Sequence, residues 1–308
     1  TPLLSMITRR SIRWLVLSPC SAIRLYIRLI TRIHPGLGNQ LANRWSELVD
    51  KQVVGVIHQA DSREVHLRFS APNPVCRYRA DTFSTKEPET LNWIEEFGGP
   101  TSSDSPVLFD IGANIGLYSI YHCLLNNASA VAFEPSFFNL RQLAYNIRLN
   151  GCQEAMTVIS NPLSDSTGPS PFRFGSTEEG SALSAFGVDY GHDGTNIESQ
   201  LAITVPGMSL DSMYTCGLVT VKPTFAKIDV DGIEHLILRG AARTFSDPSC
   251  RSILIEVNDS FDRQAELVPL LLRSFGYTLR EKQQSSQTEV SASFSTTFNQ
   301  IWVRIDRP

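Results

Sequence analysis

The segment from Val107 to Ile120 constrains the fold of this chain more than any other part of the sequence. A short apolar run, Val107–Ile111, carries Asp110 near its end, glycines follow at positions 112 and 116, and an apolar pattern with helical spacing then begins. This order predicts a buried strand, a tight glycine turn and the N-terminus of a helix, which together hold nucleotide-like ligands. The segment therefore predicts an α/β fold with a cofactor site at this turn.

A second acid supports the same site. The next apolar run, Ala130–Phe133, ends at Glu134. An acid at the end of the second strand of a βαβ unit is placed to accept hydrogen bonds from ribose hydroxyls. The two features together predict a cofactor with a ribose more strongly than either does alone.

The rest of the chain after residue 104 alternates between strand and helix patterns. Strands are expected at 107–111, 131–134, 156–160, 225–230 and 253–257, helices at 115–125, 139–149, 233–245 and 264–275, and two antiparallel strands at 277–280 and 300–304. This order predicts a Rossmann-like α/β fold with a mostly parallel seven-stranded sheet and helices on both faces. A polar insert at 164–209 is too long for a simple connection, so we expect it to carry a hairpin and part of the substrate entrance.

Three parts are predicted along the chain. Residues 1–50 form a basic, amphipathic helical segment, and residues 51–103 form a small α+β region that ends in a linker rich in Gly, Ser and Pro. Within the second part, a hairpin (53–57 with 65–69) and a helix (87–97) are expected. Residues 104–308 form the cofactor-binding domain.

The N-terminal segment is basic and has no acid before Glu47. It contains seven arginines, Arg9, Arg10, Arg13, Arg24, Arg28, Arg32 and Arg44. The helical face with Arg24, Arg28 and Arg32 lies opposite a face with Ile23, Ile27, Ile30 and Ile33. Such a helix either lies on an anionic membrane surface or packs on the main domain with its arginines in solvent. The arginines interrupt every apolar run well before the about 20 residues that a transmembrane helix needs.

Composition sets few further limits. A net charge of -4 is mild, and six scattered cysteines without a CxxC pair predict no metal site and no disulfide framework. Free thiols are typical of a reducing compartment, so we expect a cytoplasmic protein, with peripheral membrane association through the N-terminal helix as an open alternative. Residues 8–17 only weakly resemble an export signal, and export is not expected. Because the chain begins with Thr1, the sequence leaves open a preceding segment.

The chemistry of the glycine turn favours one class of cofactor. A dinucleotide site needs G-x-G-x-x-G, but here the spacing is Gly112-x-x-x-Gly116, with Asn114 in place of the middle glycine. Asp110 adds a carboxylate, which repels a pyrophosphate and suits a cationic group. S-adenosylmethionine carries an ammonium and a sulfonium and no phosphate, so the charges favour it over NAD or ATP.

Several blocks of the chain resemble the FkbM family of S-adenosylmethionine-dependent methyltransferases. The blocks are Phe109-Asp110-Ile111-Gly112-Ala113-Asn114-Ile115-Gly116, Ala132-Phe133-Glu134-Pro135, Lys227-Ile228-Asp229-Val230-Asp231-Gly232-Ile233-Glu234, Ile255-Glu256-Val257, and Asn161 to Gly168. The resemblance spans about residues 104–304. Two positions depart from it, because the family usually has Glu where this chain has Asp231 and a smaller residue where it has Ile233.

The resemblance implies a cofactor site. Its turn, Asp110, Gly112, Asn114 and Gly116, holds the methionine end of S-adenosylmethionine, Glu134 holds the ribose, and Leu163, Ser164 and Asp165 flank the adenine. Two alternatives stay open at this stage. In the first, Gly116 only allows a helix to pack closely on a strand and does not contact the cofactor. In the second, Asp165 only caps a turn and does not contact the adenine.

The block at the end of the fourth strand supplies the candidate catalytic residues. Asp229, Asp231 and Glu234 offer proton acceptors at the carboxyl edge of the sheet, where ligands bind in such folds. We expect Asp229 nearest to the methyl donor and Asp231 or Glu234 as the base. The alternative is that Asp231 caps the next helix and the helix dipole favours Glu234 there. Glu256 and Asn258 are secondary candidates for holding the acceptor.

Three functions follow from these observations. The first is an O-methyltransferase acting on a hydroxyl of a sugar, glycolipid or secondary metabolite, with a small-molecule or glycan acceptor and no nucleic acid partner. The second is a nucleotide-dependent oxidoreductase, which Asn114 and Asp110 disfavour. The third is a non-catalytic cofactor-binding module, which the acids at 229, 231 and 234 disfavour.

Overall fold

The computed structural model describes residues 19–50, 52–60, 63–99, 105–284 and 294–305. It contains two compact units, residues 1–52 and residues 53–308. Arg9, Arg10, Arg13 and the segment resembling an export signal lie outside the described residues.

The first unit contains a pair of helices. Helix α1 (Pro19–Ile33) packs against helix α2 (Pro35–Asp50). On α1, Ile23 and Ile27 are half-buried, whereas Leu25 and Leu29 are exposed to 70% and 55%. Among the described residues, no helix has both the length and the apolar character that crossing a membrane requires.

The second unit begins with a hairpin and three short helices. Strand β1 (Val53–Ala60) pairs in antiparallel fashion with β2 (Arg63–Ser70), as the alternating sequence predicts. Helices α3 (Pro74–Asp81), α4 (Phe83–Lys86) and α5 (Pro88–Gly98) follow. Helix α3 begins where the Asn73 side chain accepts a hydrogen bond from the Cys76 amide, with Pro74 in the first turn.

A seven-stranded sheet forms the centre of the second unit. Its strands are β3 (Val107–Ile111), β4 (Ser129–Phe133), β5 (Met156–Ile159), β9 (Phe225–Ile228), β10 (Ser252–Asn258), β11 (Tyr277–Gln283) and β12 (Thr297–Arg304), in the order β11-β12-β10-β9-β3-β4-β5. Strand β12 is antiparallel to both neighbours, and the other pairs from β10 to β5 are parallel. The Rossmann-like α/β fold predicted from the sequence is confirmed.

Helices cover both faces of this sheet. They are α6 (Leu117–Asn126), α7 (Phe137–Asn150), α8 (Leu210–Thr215), α9 (Glu234–Gly240), α10 (Ala242–Ser246) and α11 (Asp262–Ser274). One hydrophobic core contains Phe109, Ile228 and Ile255, and the core on the other face contains Leu108, Phe225 and Leu254. This alternation along each strand places the side chains of residues 110, 227 and 256 on the same face of the sheet.

The second core also contains Phe69, Phe83 and Trp93 from the segment before the sheet. The N-terminal α+β region and the first half of the sheet therefore share buried side chains. The boundary predicted between residues 103 and 104 stays a prediction.

The insert at 164–209 contains the expected antiparallel pairing of consecutive strands, β6 (Gly168–Phe174) with β7 (Ala185–Phe186), and β8 (Leu201–Gly207) extends it to a three-stranded sheet in the order β7-β6-β8. One local prediction needs correction. The helix predicted at 233–245 is divided at Ala241 into α9 and α10. Gly240 lies against the Ser164 backbone, where a Cβ atom would come within 2.0 Å of the carbonyl oxygen.

Candidate active site

A cavity opens at the carboxyl ends of β3, β4 and β9, where ligands bind in open α/β sheets. It has a volume of about 760 Å³, part of which is open to solvent. Its lining includes six residues that the sequence analysis selected, Gly112, Asn114, Glu134, Leu163, Asp229 and Asp231. The other five, Asp110, Gly116, Ser164, Asp165 and Glu234, are not part of the lining.

The glycine turn brings β3 and β9 together. Gly112 has a φ of +90°, and a Cβ atom there would lie 1.8 Å from the Asp229 carbonyl oxygen. Its amide donates to the Phe133 carbonyl at 3.0 Å, which fixes the turn on β4 as well. Only glycine fits both the left-handed backbone and the close approach, so Gly112 sets the position of Asp229 at the cavity edge.

Asp110 lies beneath the turn rather than in the cavity wall. Its side chain is buried, and its Oδ2 accepts hydrogen bonds from the Ser119 amide at 3.2 Å and the Ser119 hydroxyl at 2.5 Å. Burial raises the pKa of Asp110, and Lys227 opposes this shift. The carboxylate thus fastens the first turn of α6, and a direct contact with the cofactor stays a prediction.

Gly116 and Asn114 have different tasks in the same turn. Gly116 has a φ of +85°, and a Cβ atom there would meet Leu143 Cδ1 at 2.4 Å, so this glycine allows α6 to pack against α7. Asn114 has a left-handed φ of 51° and lines the cavity. Its Nδ2 donates to the Ser181 carbonyl at 2.9 Å, while its buried Oδ1 has no partner among the described residues. A buried acceptor without a donor at a cavity wall suits a ligand that carries one.

Backbone amides hold the Glu134 carboxylate in position. Its Oε2 accepts from the Asn114 amide and its Oε1 from the Ser136 amide, each at 2.7 Å. Burial raises its pKa to about 7, against the effect of these hydrogen bonds. The Asn139 side chain also donates to Glu134. An ionised carboxylate accepts about four hydrogen bonds, so Glu134 keeps capacity for a hydrogen bond from a ribose.

The segment predicted to flank the adenine is only partly in the cavity. Leu163 lines the cavity together with Pro162 and Asn161. Ser164 is buried and its amide donates to the Met208 carbonyl at 3.1 Å, whereas Asp165 is exposed. Leu163 therefore offers an apolar surface for a base, and a contact of Ser164 or Asp165 with the adenine stays a prediction.

Buried Lys227 forms an ion pair with half-buried Asp229 at the end of β9. Lys227 Nζ lies 2.5 Å from Asp229 Oδ2, and its ammonium stands 5.0 Å from the centre of the Tyr118 ring. Lys227 is buried, which by itself lowers its pKa, but Asp229 and Glu87 more than offset this and raise it. No motif predicted a role for Lys227, although a lysine within an apolar strand is a signal for a buried charge.

Asp231 lies in the cavity wall one residue beyond Val230. It has a left-handed φ of 61°, and its Oδ2 accepts from the Leu183 amide at 2.6 Å. Burial raises its pKa, and the neighbouring Asp229 raises it further. A carboxylate with a raised pKa is a better proton acceptor than an ordinary one.

Glu234 is turned away from the cavity into its own loop. Its carboxylate accepts from the amides of Val230 and Gly232 and from the Gln264 side chain. Burial raises its pKa to about 8, against the effect of these backbone hydrogen bonds. Glu234 therefore holds the turn that presents Asp231, and its assignment as a base stays untested.

Three carboxylates, two from the loop after β9 and one from β10, come together beside the cavity. One oxygen each of Asp229, Asp231 and Glu256 lie within 4.8 Å of one another. Burial raises the pKa of Glu256 well above its ordinary value, and Asp229 and Asp231 add to this. Oxygen ligands of this kind suit Mg²⁺ or Ca²⁺, a set that sequence spacing does not show because its members come from separate strands. Asp229 and Asp231 already have protein partners, and we assign no metal to the cluster.

The cavity fits S-adenosylmethionine by its charges. Three acids line it, Glu134, Asp229 and Asp231, and Arg79 is the one cationic side chain among the described lining residues. This composition suits a ligand with a ribose and two cationic centres rather than a polyphosphate. Arg79 could not be selected from the sequence, because it lies on α3, outside the recognised blocks.

This fold and this site define a class I methyltransferase. A family model for the methyltransferase FkbM domain matches residues 110–279, more than half of the 308 residues. The chain belongs to the FkbM methyltransferase family, as the sequence blocks indicated. Methyltransferases of this family use S-adenosylmethionine, so the predicted cofactor is confirmed, and the oxidoreductase alternative is set aside. No curated protein matches the chain.

Solved structures share the fold at low sequence identity. The FkbM methyltransferase from Methylobacillus flagellatus is 15% identical over 64% of this chain and 43% of its own length, with a TM-score of 0.42. This chain thus matches less than half of that protein. The precorrin-6y C5,15-methyltransferase from Geobacter metallireducens is 14% identical over 72% of this chain and 90% of its own, with a TM-score of 0.42. These likenesses show the fold alone.

The expectation of no nucleic acid partner was wrong. An rRNA methylase from Streptococcus thermophilus shares the fold at 10% identity, over 71% of this chain and 95% of its own, with a TM-score of 0.42. A tRNA m1G37 methyltransferase from M. jannaschii is also similar, at 12% identity over 82% of this chain and 57% of its own, with a TM-score of 0.42. A whole-chain net charge does not describe the local surface that an acceptor meets, so the net charge of -4 gives no ground for excluding RNA.

Proposed function

We propose that this protein transfers a methyl group from S-adenosylmethionine to a hydroxyl oxygen of a sugar, glycolipid or secondary metabolite. The observation that carries the proposal is Asp231, a carboxylate with a raised pKa in the wall of the cofactor cavity. A hydroxyl is a poor nucleophile at neutral pH and needs a base to take its proton. A non-catalytic binding module has no use for a proton acceptor at this place.

The residues around the cavity divide the work of binding and positioning. Glu134 accepts from a ribose hydroxyl, Leu163 packs against the adenine, and Asn114 Oδ1 accepts from a donor of the methionine end. Bound S-adenosylmethionine supplies a methyl group on a positively charged sulfur, so the protein mainly has to align the acceptor with it. Asp229, fixed by Lys227, keeps negative charge near the sulfonium.

Asp231 completes the transfer as the base. As the new carbon–oxygen bond forms and the carbon–sulfur bond breaks, the hydroxyl proton moves to the Asp231 carboxylate. The proton then leaves to solvent. The hydrogen bond from the Leu183 amide orients Asp231 for this step, and the loop held by Glu234 fixes its backbone.

A second cavity adjoins the first and is the proposed acceptor site. It has a volume of about 1060 Å³, part of it open to solvent, and shares Arg79, Ser181 and Ala182 with the cofactor cavity. Its wall includes the polar residues Asp193, Asn196 and Glu198 together with an aromatic surface where Phe294 stacks on His192 at 4.5 Å. Polar groups beside an aromatic ring suit a hydroxyl-rich acceptor.

The variant Asp231→Asn tests the proposed base. Asparagine tolerates the left-handed backbone at this position and keeps an oxygen for the Leu183 amide. We expect radiolabelled methyl transfer into cell extract to fall by about 10²–10⁴-fold, with S-adenosylmethionine affinity unchanged within about twofold.

Asp81→Asn, an exposed acid paired with Arg77, is the matched control and should transfer at the rate of the unaltered protein. Full activity of Asp231→Asn would remove Asp231 from the mechanism. An unaltered protein that binds S-adenosylmethionine and transfers nothing would favour the binding module.

We further propose that α1 associates with anionic membrane surfaces from the cytoplasmic side. Leu25, Leu29 and Ile33 are exposed on α1 beside the exposed arginines 24, 28 and 32. Apolar side chains next to a row of arginines are typical of helices that lie in the interface of an anionic bilayer.

A further inference from the structure

Arg79 brings a positive charge into a cavity whose other charged lining residues are acids. It lies on α3, before the part of the chain that the family model matches, and lines both the cofactor cavity and the second cavity. Its Nε donates to the Gly180 carbonyl at 2.5 Å. Within the described chain, its two terminal nitrogens have no hydrogen-bond or ion-pair partner.

The acids near Arg79 have hydrogen-bond partners other than Arg79. The Glu134 oxygens accept from the amides of Asn114 and Ser136, and Asp231 Oδ2 accepts from the Leu183 amide. Burial raises the pKa of Glu134 and of Asp231, and the nearby positive charge of Arg79 lowers both pKa values by a smaller amount. It forms no ion pair with either within the described chain. Its charge is therefore available to an anion that enters the cavity.

The loop of residues 179–183, which we call the dividing loop because it lines both cavities, holds Arg79 in place. Helix α3 is fastened to this loop at three points: Asn73 Nδ2 and Cys76 Sγ donate to the Glu179 carbonyl at 3.0 and 3.3 Å, and Arg79 Nε donates to Gly180. Asn139 fixes the other side, accepting from the Gly180 amide at 2.9 Å and donating to the Ser181 carbonyl at 3.1 Å. A guanidinium held at Nε keeps its two terminal nitrogens as a pre-oriented pair for a carboxylate.

We propose that Arg79 binds the α-carboxylate of S-adenosylmethionine. The cofactor carries two cationic centres and one anionic group, and the cavity wall carries three acids and one free guanidinium, so the single anion matches the single cation. This assignment rests on the proposed function, and it makes the N-terminal α+β region part of the cofactor site.

The test compares two ligands that differ in this one group. S-adenosylmethionine and decarboxylated S-adenosylmethionine share the adenine, ribose, sulfonium and ammonium, and only the first has the carboxylate. Calorimetric titration should show that the unaltered protein prefers S-adenosylmethionine by at least about tenfold, since hydrogen bonds to a charged group are strong. In Arg79→Gln this preference should disappear, because S-adenosylmethionine binds at least about tenfold more weakly and the decarboxylated ligand binds equally well or better.

Controls separate this role from a structural one. Arg77→Gln changes an exposed arginine on the same helix and should bind both ligands as the unaltered protein does. Arg79→Lys, which keeps the charge without the paired nitrogens, should show an intermediate preference. Thermal unfolding without ligand checks that each variant is folded.

Several outcomes would overturn the proposal. Equal weakening of both ligands in Arg79→Gln would mean that Arg79 only supports the dividing loop. Unchanged binding of both would assign Arg79 to the second cavity and its acceptor. An unaltered protein that binds neither ligand would refute the cofactor site itself, which distinguishes failure of the proposed function from failure of the Arg79 assignment.

Discussion

Burial of carboxylates is the feature that most determines this site at the scale of single residues. Glu134, Asp231, Glu234 and Glu256 all have raised pKa values because they lie out of water. The groups that their carboxylate oxygens contact distinguish the roles of these four acids. Glu134 and Asp231 face the cavity, whereas Glu234 serves its own loop. The sequence predicted where these acids lie, near the ends of the strands. The orientation of each side chain depends on backbone hydrogen-bond donors, which no sequence motif predicts.

The pKa of Glu134 predicts a pH dependence of cofactor binding. A ribose hydroxyl donates to the ionised carboxylate, and the pKa of about 7 means that ionisation occurs between pH 6 and 8. Affinity should therefore rise with pH in this window, by about tenfold, because bound cofactor favours the ionised form. Calorimetric titration at several pH values measures it.

Glu134→Gln supplies the comparison for this prediction. Glutamine stays neutral throughout and turns a donor toward one backbone amide, so the variant should bind weakly and show a flat profile. The prediction is wrong if the unaltered protein and the variant follow the same pH curve.

At the scale of elements, the turn between β3 and α6 positions the chemistry. Its two glycines are needed for different contacts, which the sequence pattern alone could not distinguish. Gly112 leaves room for the Asp229 carbonyl oxygen, and Gly116 leaves room for the Leu143 side chain. The strand order and the parallel core were predictable because buried strands and amphipathic helices have distinct periods. The division of α9 from α10 was not predictable. It falls next to Gly240, whose close approach to Ser164 joins positions 76 residues apart in the chain.

Gly112→Ala should uncouple the turn from β9. A Cβ atom there overlaps the Asp229 carbonyl, and the left-handed backbone adds about 1–2 kcal/mol of strain for any other residue. We expect loss of S-adenosylmethionine binding and a free energy of unfolding lower by more than about 2 kcal/mol, as chemical denaturation would show.

Gly151→Ala is the matched control at the end of α7. Gly151 also has a positive φ, of 69°, but a Cβ atom there meets nothing within 4 Å. It should lose only about 1 kcal/mol through backbone strain and keep normal cofactor binding. Equal behaviour of the two variants would show that the contact with Asp229 has no part in the site.

At the scale of the whole molecule, the chain contains two compact units with different expected tasks. The second, residues 53–308, contains both cavities and both hydrophobic cores. The contribution of α3 to the cofactor cavity could not be predicted, because residues before 104 carry no recognised motif and reach the site only through the fold. The identity of the acceptor was equally hidden, since it depends on the shape of the insert.

A variant that begins at Val53 tests this division of tasks. It should fold and bind S-adenosylmethionine within about twofold of the full chain, because every residue of the cavity wall remains. Cosedimentation with phosphatidylserine vesicles should be lost, whereas the full chain should bind them and release them at high salt. Vesicle binding that persists without residues 1–52 would assign membrane association elsewhere.

The central claim is that the cavity between Glu134 and Asp231 holds S-adenosylmethionine. Calorimetric titration of the full chain with S-adenosylmethionine and, separately, with NADH tests it most directly. The account predicts saturable binding of one S-adenosylmethionine per chain, lost in Glu134→Ala, and no binding of NADH. Binding of NADH alone, or of S-adenosylmethionine with equal strength to Glu134→Ala, would contradict it.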